Sequence, residues 1–204
     1  MRNWHRLALV LAIAVALGLP EAAPAAQLTV GSGSALDVGT ATVDLGCADV
    51  SILGTLDLAS GNVDLARDVA IQPGGTLVGS TGTLQVAGNW TNTGTFSAAS
   101  STVRLTDGCA VASATITGNS TFSTLSLESA TAKTFAFASG STQTVTTDLQ
   151  VQGAPSNLRQ IRATAGGSEA FLDLQGAQFV DYVDVQDNHA IGTPIGYPNN
   201  STSS

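Results

Sequence analysis

Glycine returns with a seven-residue period through the first half of the chain. Cut every seven residues from Thr55, the sequence falls into TLDLASG, NVDLARD, VAIQPGG, TLVGSTG and TLQVAGN. A helical coiled coil is excluded, because each interior glycine would cost about 1 kcal/mol relative to alanine and the β-branched residues add to that cost. Seven residues instead fit a short strand followed by a tight corner. Three such units make one coil of about 21 residues, whose strands would stack on the next coil.

The stretches between the glycines alternate apolar with polar residues, which is typical of β-strands. Examples are TLDLASG, STVRLT, KTFAFASG and TQTVTTDLQVQG. Leu56 and Leu58 then point to one side of the strand and Asp57 to the other. The sequence predicts an all-β parallel β-helix over residues 27–190, in seven or eight rungs, with the aliphatic side chains inside and the aspartates outside. Glycines are expected at the sharp corners, often with positive φ.

A β-sandwich is the alternative fold, since it also shows alternating strands at regular spacing. Its strands usually recur every 8 to 12 residues and are often joined by Asn-Gly or Asp-Gly hairpin turns. In this chain Asp107-Gly108 is the pair that fits such a turn.

The N-terminus predicts an export signal over residues 1–26. Arg2 and Arg6 precede an apolar run from Leu7 to Leu19, and small residues near Ala25 offer a cleavage site. The run is shorter than the roughly 20 residues that span a membrane, so we expect no membrane span after cleavage. The expected location is extracellular or on the cell surface. Residues 191–204 read as a polar C-terminal tail.

The acidic charge balance argues against negatively charged partners. The formal net charge is -8 and the isoelectric point is about 4.3. Nucleic acids and anionic membrane surfaces both require a basic patch, so neither is an expected partner.

The two cysteines, Cys47 and Cys109, are 62 residues apart, close to three rungs. In a regular coil they would lie about 14 Å apart along the axis, farther than the roughly 7 Å that a disulfide allows between Cα atoms. A bond needs an irregular coil between them or a folded-back N-terminal segment. Export permits a disulfide, and the alternative is two free, buried thiols.

The strongest cluster of acids comprises Asp181, Asp184 and Asp187, with His189 close by. Alternation places Asp184 on the solvent face and the other two aspartates near strand ends, so the acids do not converge from alternation alone. They are weak candidates for a calcium site, because calcium needs six to eight oxygens from several segments. No catalytic residue and no other cofactor is predicted.

Two other features are candidates for binding. Exposed aspartates could stack as a ladder between rungs or serve only as solubility charge; they are Asp37, Asp44, Asp57 and Asp64. Trp90, a large ring among small residues, is expected to fill or cap the interior, with exposed stacking on a sugar as the alternative.

The stretch GNWTNTGTFSAASSTVRLTDG (88–108), with ITGNSTFSTLSLES, KTFAFASGSTQTVTTDLQVQG and FVDYVDVQDNHA after it, resembles a module of exported bacterial surface proteins. That module is of the filamentous-haemagglutinin-like, adhesin-like β-helix type, and the likeness covers about residues 50–200. The resemblance implies a right-handed β-helix at the cell surface or in the medium, and it implies no activity.

Two functions follow as expectations. The first is a non-catalytic structural or adhesin-like module that presents a repetitive surface to an unknown ligand, a carbohydrate or a protein. The second is a polysaccharide-active lyase or glycoside hydrolase, which would need clustered acids or an activated base.

Overall fold

A computed structural model describes residues 26–195 and 200–203 of the chain. The predicted export signal therefore lies outside the described residues, apart from Ala26. The described residues form strands and corners without any helix. In that part of the chain, accordingly, no helix long and apolar enough to cross a membrane is found.

The strands form three sheets, named A, B and C. Sheet A contains β1 (Gln27–Val30), β4 (Asp49–Ile52), β7 (Val69–Ile71), β10 (Trp90–Asn92), β13 (Ser113–Thr117), β15 (Thr134–Phe137), β17 (Arg159–Ala163), β20 (Val183–Gln186) and β22 (Thr202–Ser203). Sheet B contains β2 (Ala35–Asp37), β5 (Thr55–Asp57), β8 (Thr76–Val78) and β11 (Thr95–Ser97). Sheet C contains β3 (Thr42–Asp44), β6 (Asn62–Ala66), β9 (Thr83–Val86), β12 (Thr102–Leu105), β14 (Ser120–Glu128), β16 (Thr142–Gln152), β18 (Ala170–Leu174) and β21 (Asn188–Gly192), and β19 (Ala177–Asp181) also pairs with β16.

Strands pair in parallel with the strands one circuit earlier and later, as β3 does with β6 and β6 with β9. The chain is therefore a parallel β-solenoid of about eight rungs. This confirms the predicted β-helix. The β-sandwich alternative is wrong, because a sandwich joins neighbouring strands in antiparallel pairs, and the antiparallel pairing described here is one isolated bridge, Ala154 to Asn157.

The core is a stack of aliphatic and aromatic side chains in register. One inward column on sheet C runs through Val63, Leu84, Val103, Leu125 and Leu149, each at most 3% exposed. Each member covers the one before it, so every additional rung buries the inner face of its predecessor. This is the physical reason that a seven-residue unit, too short to bury anything alone, folds as part of an array.

The periodic glycines are required for close approach between rungs. A methyl group placed on Gly75 would lie 2.0 Å from the carbonyl oxygen of Ile52, and one on Gly54 would lie 2.2 Å from that of Gly31. Neither glycine has positive φ. The expectation that positive φ explains these glycines is wrong at both positions: what excludes a side chain is the backbone of the rung below.

Positive φ occurs at other corner positions, most regularly at the corner between sheets B and C. There Gly39, Ala59, Ser80 and Ala99 occupy equivalent places on four rungs, with φ between 49° and 66°. In the second to fourth rungs, the amide that follows the corner residue bonds to the corner residue of the rung below, as Ser60 N does to Gly39 O at 3.0 Å. The corner geometry is therefore set by stacking, whichever residue occupies it.

The solenoid changes shape after the fourth rung. Sheet B ends at β11. In later rungs, the long strands β14 and β16, of 9 and 11 residues, run along the side of the solenoid where sheet B lay in the first four rungs. Their sequences alternate without a glycine, so nothing in them favours a corner. A register shift between Phe122 and Thr124 bends β14 against β16.

The C-terminal boundary differs from the prediction for residues 191–204. Strand β21 extends to Gly192, and β22 pairs with β20 through Thr202–Asp184 and Ser203–Val185. Part of the segment predicted as a polar tail therefore rejoins sheet A and adds to the last rung.

Candidate functional site

The predicted acidic cluster is not brought together. Asp184 forms an ion pair with Arg162 and accepts a hydrogen bond from Thr202 Oγ1 at 3.1 Å. Asp187 stands at a corner and accepts from the amide of Gly167 at 3.2 Å. Asp181 ends β19, and its Oδ1 atom is buried without a hydrogen-bond partner.

These acids therefore supply no shared set of oxygens. Within residues 26–195 and 200–203, no group of three or more histidine, cysteine or acidic side chains is placed to hold a metal ion. His189 lies beside a different acid, with Nδ1 3.7 Å from Glu169 Oε1. The calcium site stays a prediction that this geometry does not favour.

The exposed aspartates do stack in register, Asp37 beside Asp57 and Asp44 beside Asp64. Oxygens of Asp37, Asp44 and Asp57, however, serve the corners. Asp37 Oδ1 accepts from the amide of Gly39 at 2.8 Å, and Asp44 Oδ1 accepts from that of Gly46 at 2.9 Å. An aspartate that binds the backbone two residues ahead closes a turn. Corner formation therefore accounts for three of the four aspartates, Asp37, Asp44 and Asp57.

Trp90 lies in the interior, which confirms the first of the two alternatives predicted for it. The alternative, an exposed ring that stacks on a sugar, is wrong. The residue is 0% exposed, and its ring centroid lies 5.1 Å from that of Phe96 and 5.4 Å from that of Phe122. Its Nε1 donates to Ser120 Oγ at 3.0 Å. The indole therefore fills the solenoid where sheet B ends.

Cys47 and Cys109 form a disulfide, with their Cα atoms 5.4 Å apart. The length of the corner between sheets C and A allows the two cysteines to meet. This corner has two residues in the second rung, 67–68, and seven in the fourth rung, 106–112. The longer corner folds back along the solenoid. Of the two geometries open from the sequence, the irregular coil is the one found.

Two buried cations line the same corner in later rungs. Lys133 and Arg159 are each 1% exposed. Lys133 Nζ donates to the carbonyl oxygen of Thr106 at 2.7 Å and to that of Ala87. Arg159 donates to the carbonyl oxygens of Gln152, Ser129 and Thr131. The two side chains thus direct their charges at the carbonyl oxygens of the corners.

Burial lowers the pKa of the Lys133 ammonium and of the Arg159 guanidinium, and the carboxylate of Asp107 opposes the shift in both. Sequence reasoning missed both residues, although a signal existed. Lys133 shares the inward phase of Phe135 and Phe137, and Arg159 shares that of Ile161. When a lysine or arginine stands at a position whose neighbours of the same parity face inward, its charged group is expected to be buried and hydrogen-bonded inside the fold.

A shallow recess of about 440 Å³ lies beside this corner, bordered by Asp107, Glu128 and Gln152 among others. Both acids are engaged. Glu128 pairs with Arg104 at 2.5 Å, and this contact holds the pKa of Glu128 below its usual value. Asp107 accepts from the amides of Ala130 and Thr131.

Burial would raise the pKa of Asp107. The hydrogen bonds from Ser129, Ala130 and Thr131 outweigh burial and lower it.

The outer faces carry rows of hydroxyl side chains in register. Sheet B stacks Thr55, Thr76 and Thr95, and sheet C stacks Thr83, Thr102 and Thr124. Neighbours in each row are separated by the strand spacing of about 4.8 Å.

One aromatic ring interrupts the polar outer face of sheet C. Phe179, on β19, is 54% exposed and lies in register with Gln150. The threonine row continues to Asp148 and Ala177, two residues before Gln150 and Phe179 and therefore on the same face. Hydroxyl, carboxylate, amide and aromatic groups thus share one face.

Comparison with protein-family models, with curated proteins and with solved structures gave no match to this chain.

Proposed function

We propose that this chain is an exported, non-catalytic structural or adhesin-like module that presents a repetitive surface to a partner, either a carbohydrate or a protein. The observation that carries the proposal is the stacking of outward hydroxyl side chains in register over successive rungs. A surface that repeats at one interval gives many weak contacts to a partner that repeats as well, and linked weak contacts bind far more tightly than any one alone.

Sheet C is the face we assign to the partner. It joins the row of Thr83, Thr102 and Thr124 to the exposed ring of Phe179. Aromatic side chains supply a large apolar contact area at interfaces, while hydroxyl groups form directional hydrogen bonds with the partner. Sheet B offers threonines without an exposed ring, so it is the matched control face.

The test is binding of the purified chain to cellulose, chitin, collagen and fibronectin surfaces. We expect retention on at least one of them. Phe179→Ala combined with Thr102→Lys should weaken that retention about tenfold, and Thr55→Lys with Thr76→Lys on sheet B should leave it within twofold. Equal loss from both faces, or no retention on any surface by the folded chain, would remove the proposal.

The same preparation tests the enzyme alternative. Release of reducing ends from acidic or neutral glycans by the wild type, lost in Asp184→Asn, would replace the binding module with a polysaccharide-active enzyme. No arrangement described above favours that outcome.

Secretion needs its own test. The full chain and a version lacking residues 1–26, each produced in a bacterial host, should differ in where the protein is recovered. We expect the full chain outside the cytoplasm and the shortened one within it. Recovery of both from the cytoplasm would remove the export part of the proposal.

A further inference from the structure

The corner at residues 106–112, here named the strap, runs from the fourth rung back to the first. It leaves the fourth rung after β12 and reaches Cys47 in the first rung through Cys109. On the way Gly108 passes so close to the second and third rungs that a methyl group on it would lie 3.2 Å from Leu65 Cδ2 and 3.4 Å from Ala87 Cβ. The strap therefore lies against both intervening rungs.

The base of the strap is fixed to the rungs that follow it. Asp107 accepts from the amide of Ala130 at 2.5 Å, and Thr106 O accepts from Lys133 Nζ at 2.7 Å. Its tip is held by the disulfide. The strap thus joins the fifth rung, through hydrogen bonds, to the first rung, through a covalent bond.

The first rung is the part of the fold that most needs this attachment. Its strands have three or four residues each, and Leu28 and Leu36 are partly buried, whereas Val50 and Leu56, their partners on the second rung, are at most 2% exposed. The end of a solenoid loses the neighbour that would cover it and ordinarily needs a cap.

We infer that the Cys47–Cys109 bond is a redox-sensitive clamp that holds the N-terminal rungs on the solenoid. A dithiol reductant would transfer two electrons and two protons to the bond, giving the thiols of Cys47 and Cys109 and a cyclic disulfide of the reductant. The strap then loses its tip contact, and rungs one and two open locally while the later rungs stay folded. This inference does not depend on the proposed function.

Amide hydrogen exchange, followed by mass spectrometry with and without dithiothreitol, tests the clamp on the full chain. We expect exchange across β1 to β6 to rise at least tenfold on reduction. Exchange across β15 to β18 should change less than twofold. The internal reference separates local opening from global unfolding.

The double variant Cys47→Ser, Cys109→Ser is the matched control. It should exchange like the reduced wild type and should not respond to dithiothreitol. If this variant fails to fold, the wild type measured before and after reduction still decides the question. Unchanged exchange across β1 to β6, or an equal rise across both regions, would overturn the inference.

Discussion

Trp90 is the largest side chain that the solenoid encloses completely. It packs against Phe96 and Phe122, and its indole nitrogen is satisfied by Ser120. Trp90→Ala would leave a cavity that the neighbouring rungs cannot fill without shifting. We expect it to lower the free energy of unfolding by about 3–5 kcal/mol, measured by urea titration.

Phe179→Ala is the control for the aromatic substitution. The ring is 54% exposed, so its removal should change the free energy of unfolding by no more than about 0.5 kcal/mol. A cost for Trp90→Ala as small as that of Phe179→Ala would mean that the indole is not enclosed.

Asp107 links stability to pH. Its pKa in the folded chain lies below the ordinary value of 3.8, because hydrogen bonds to the carboxylate outweigh the effect of burial. The unfolded chain then binds a proton more readily than the folded one, so the contribution of Asp107 is complete above about pH 4 and is lost as pH falls through the lowered pKa.

Asp107→Asn removes that charge and keeps the shape of the side chain. We expect it to cost about 1 kcal/mol at pH 7 and to flatten the loss of stability below pH 4, measured as urea midpoints from pH 2.5 to pH 7. An unchanged acid limb in the variant would assign the acid sensitivity to other carboxylates.

At the scale of the strand and its corner, glycine is required for one of two separate reasons: a lack of space for a side chain, or a backbone with positive φ. Gly75 has no room for a side chain, since a methyl group would lie 2.0 Å from Ile52 O. Gly74 has open space but a φ of 81°. Gly166 has open space and no positive φ.

These three positions predict a graded series of glycine-to-alanine variants. Gly166→Ala should be within about 0.5 kcal/mol of the wild type, and Gly74→Ala should cost about 1 kcal/mol for the left-handed backbone. Gly75→Ala should cost about 3 kcal/mol or more, because the backbone of two rungs must move apart. Thermal or urea unfolding measures all three, and a Gly75→Ala cost no larger than that of Gly74→Ala would contradict the close approach.

The alternation of residues was enough to predict which side chains face inward. Leu56 and Val63 are at most 1% exposed, and Asp57 lies on the other face of its strand, as its parity requires. The register of Asp37 with Asp57 also follows from the sequence, since one circuit has a nearly constant length there.

Corner length is what the sequence left open. The strap at 106–112 departs from the regular circuit, and nothing in TDGCAVA shows that the loop folds back rather than outward. The path is decided by contacts with Leu65 and Ala87, which are distant in sequence. The roles of Lys133 and Arg159 depend on that same corner, so they too became visible only when the rungs were stacked.

For the molecule as a whole, the disulfide is the one covalent tie between distant rungs among the described residues. It closes a loop of 62 residues, for which loop-closure entropy suggests a stabilisation of about 4 kcal/mol. Reduction should lower the free energy of global unfolding by up to this amount, as measured in urea with and without dithiothreitol. A reduced chain as stable as the oxidised one would show that the strap is held by its packing and hydrogen bonds alone.

The shape of the molecule and its proposed role both depend on parallel stacking, because only parallel rungs bring threonines 83, 102 and 124 into one row. Nuclear Overhauser spectroscopy of the isotopically labelled chain tests this directly. Parallel rungs predict contacts along Val63, Leu84, Val103 and Leu125, with no close pairs of Hα atoms between neighbouring strands. Strong Hα–Hα contacts between strands adjacent in sequence, the mark of antiparallel pairing, would contradict the solenoid.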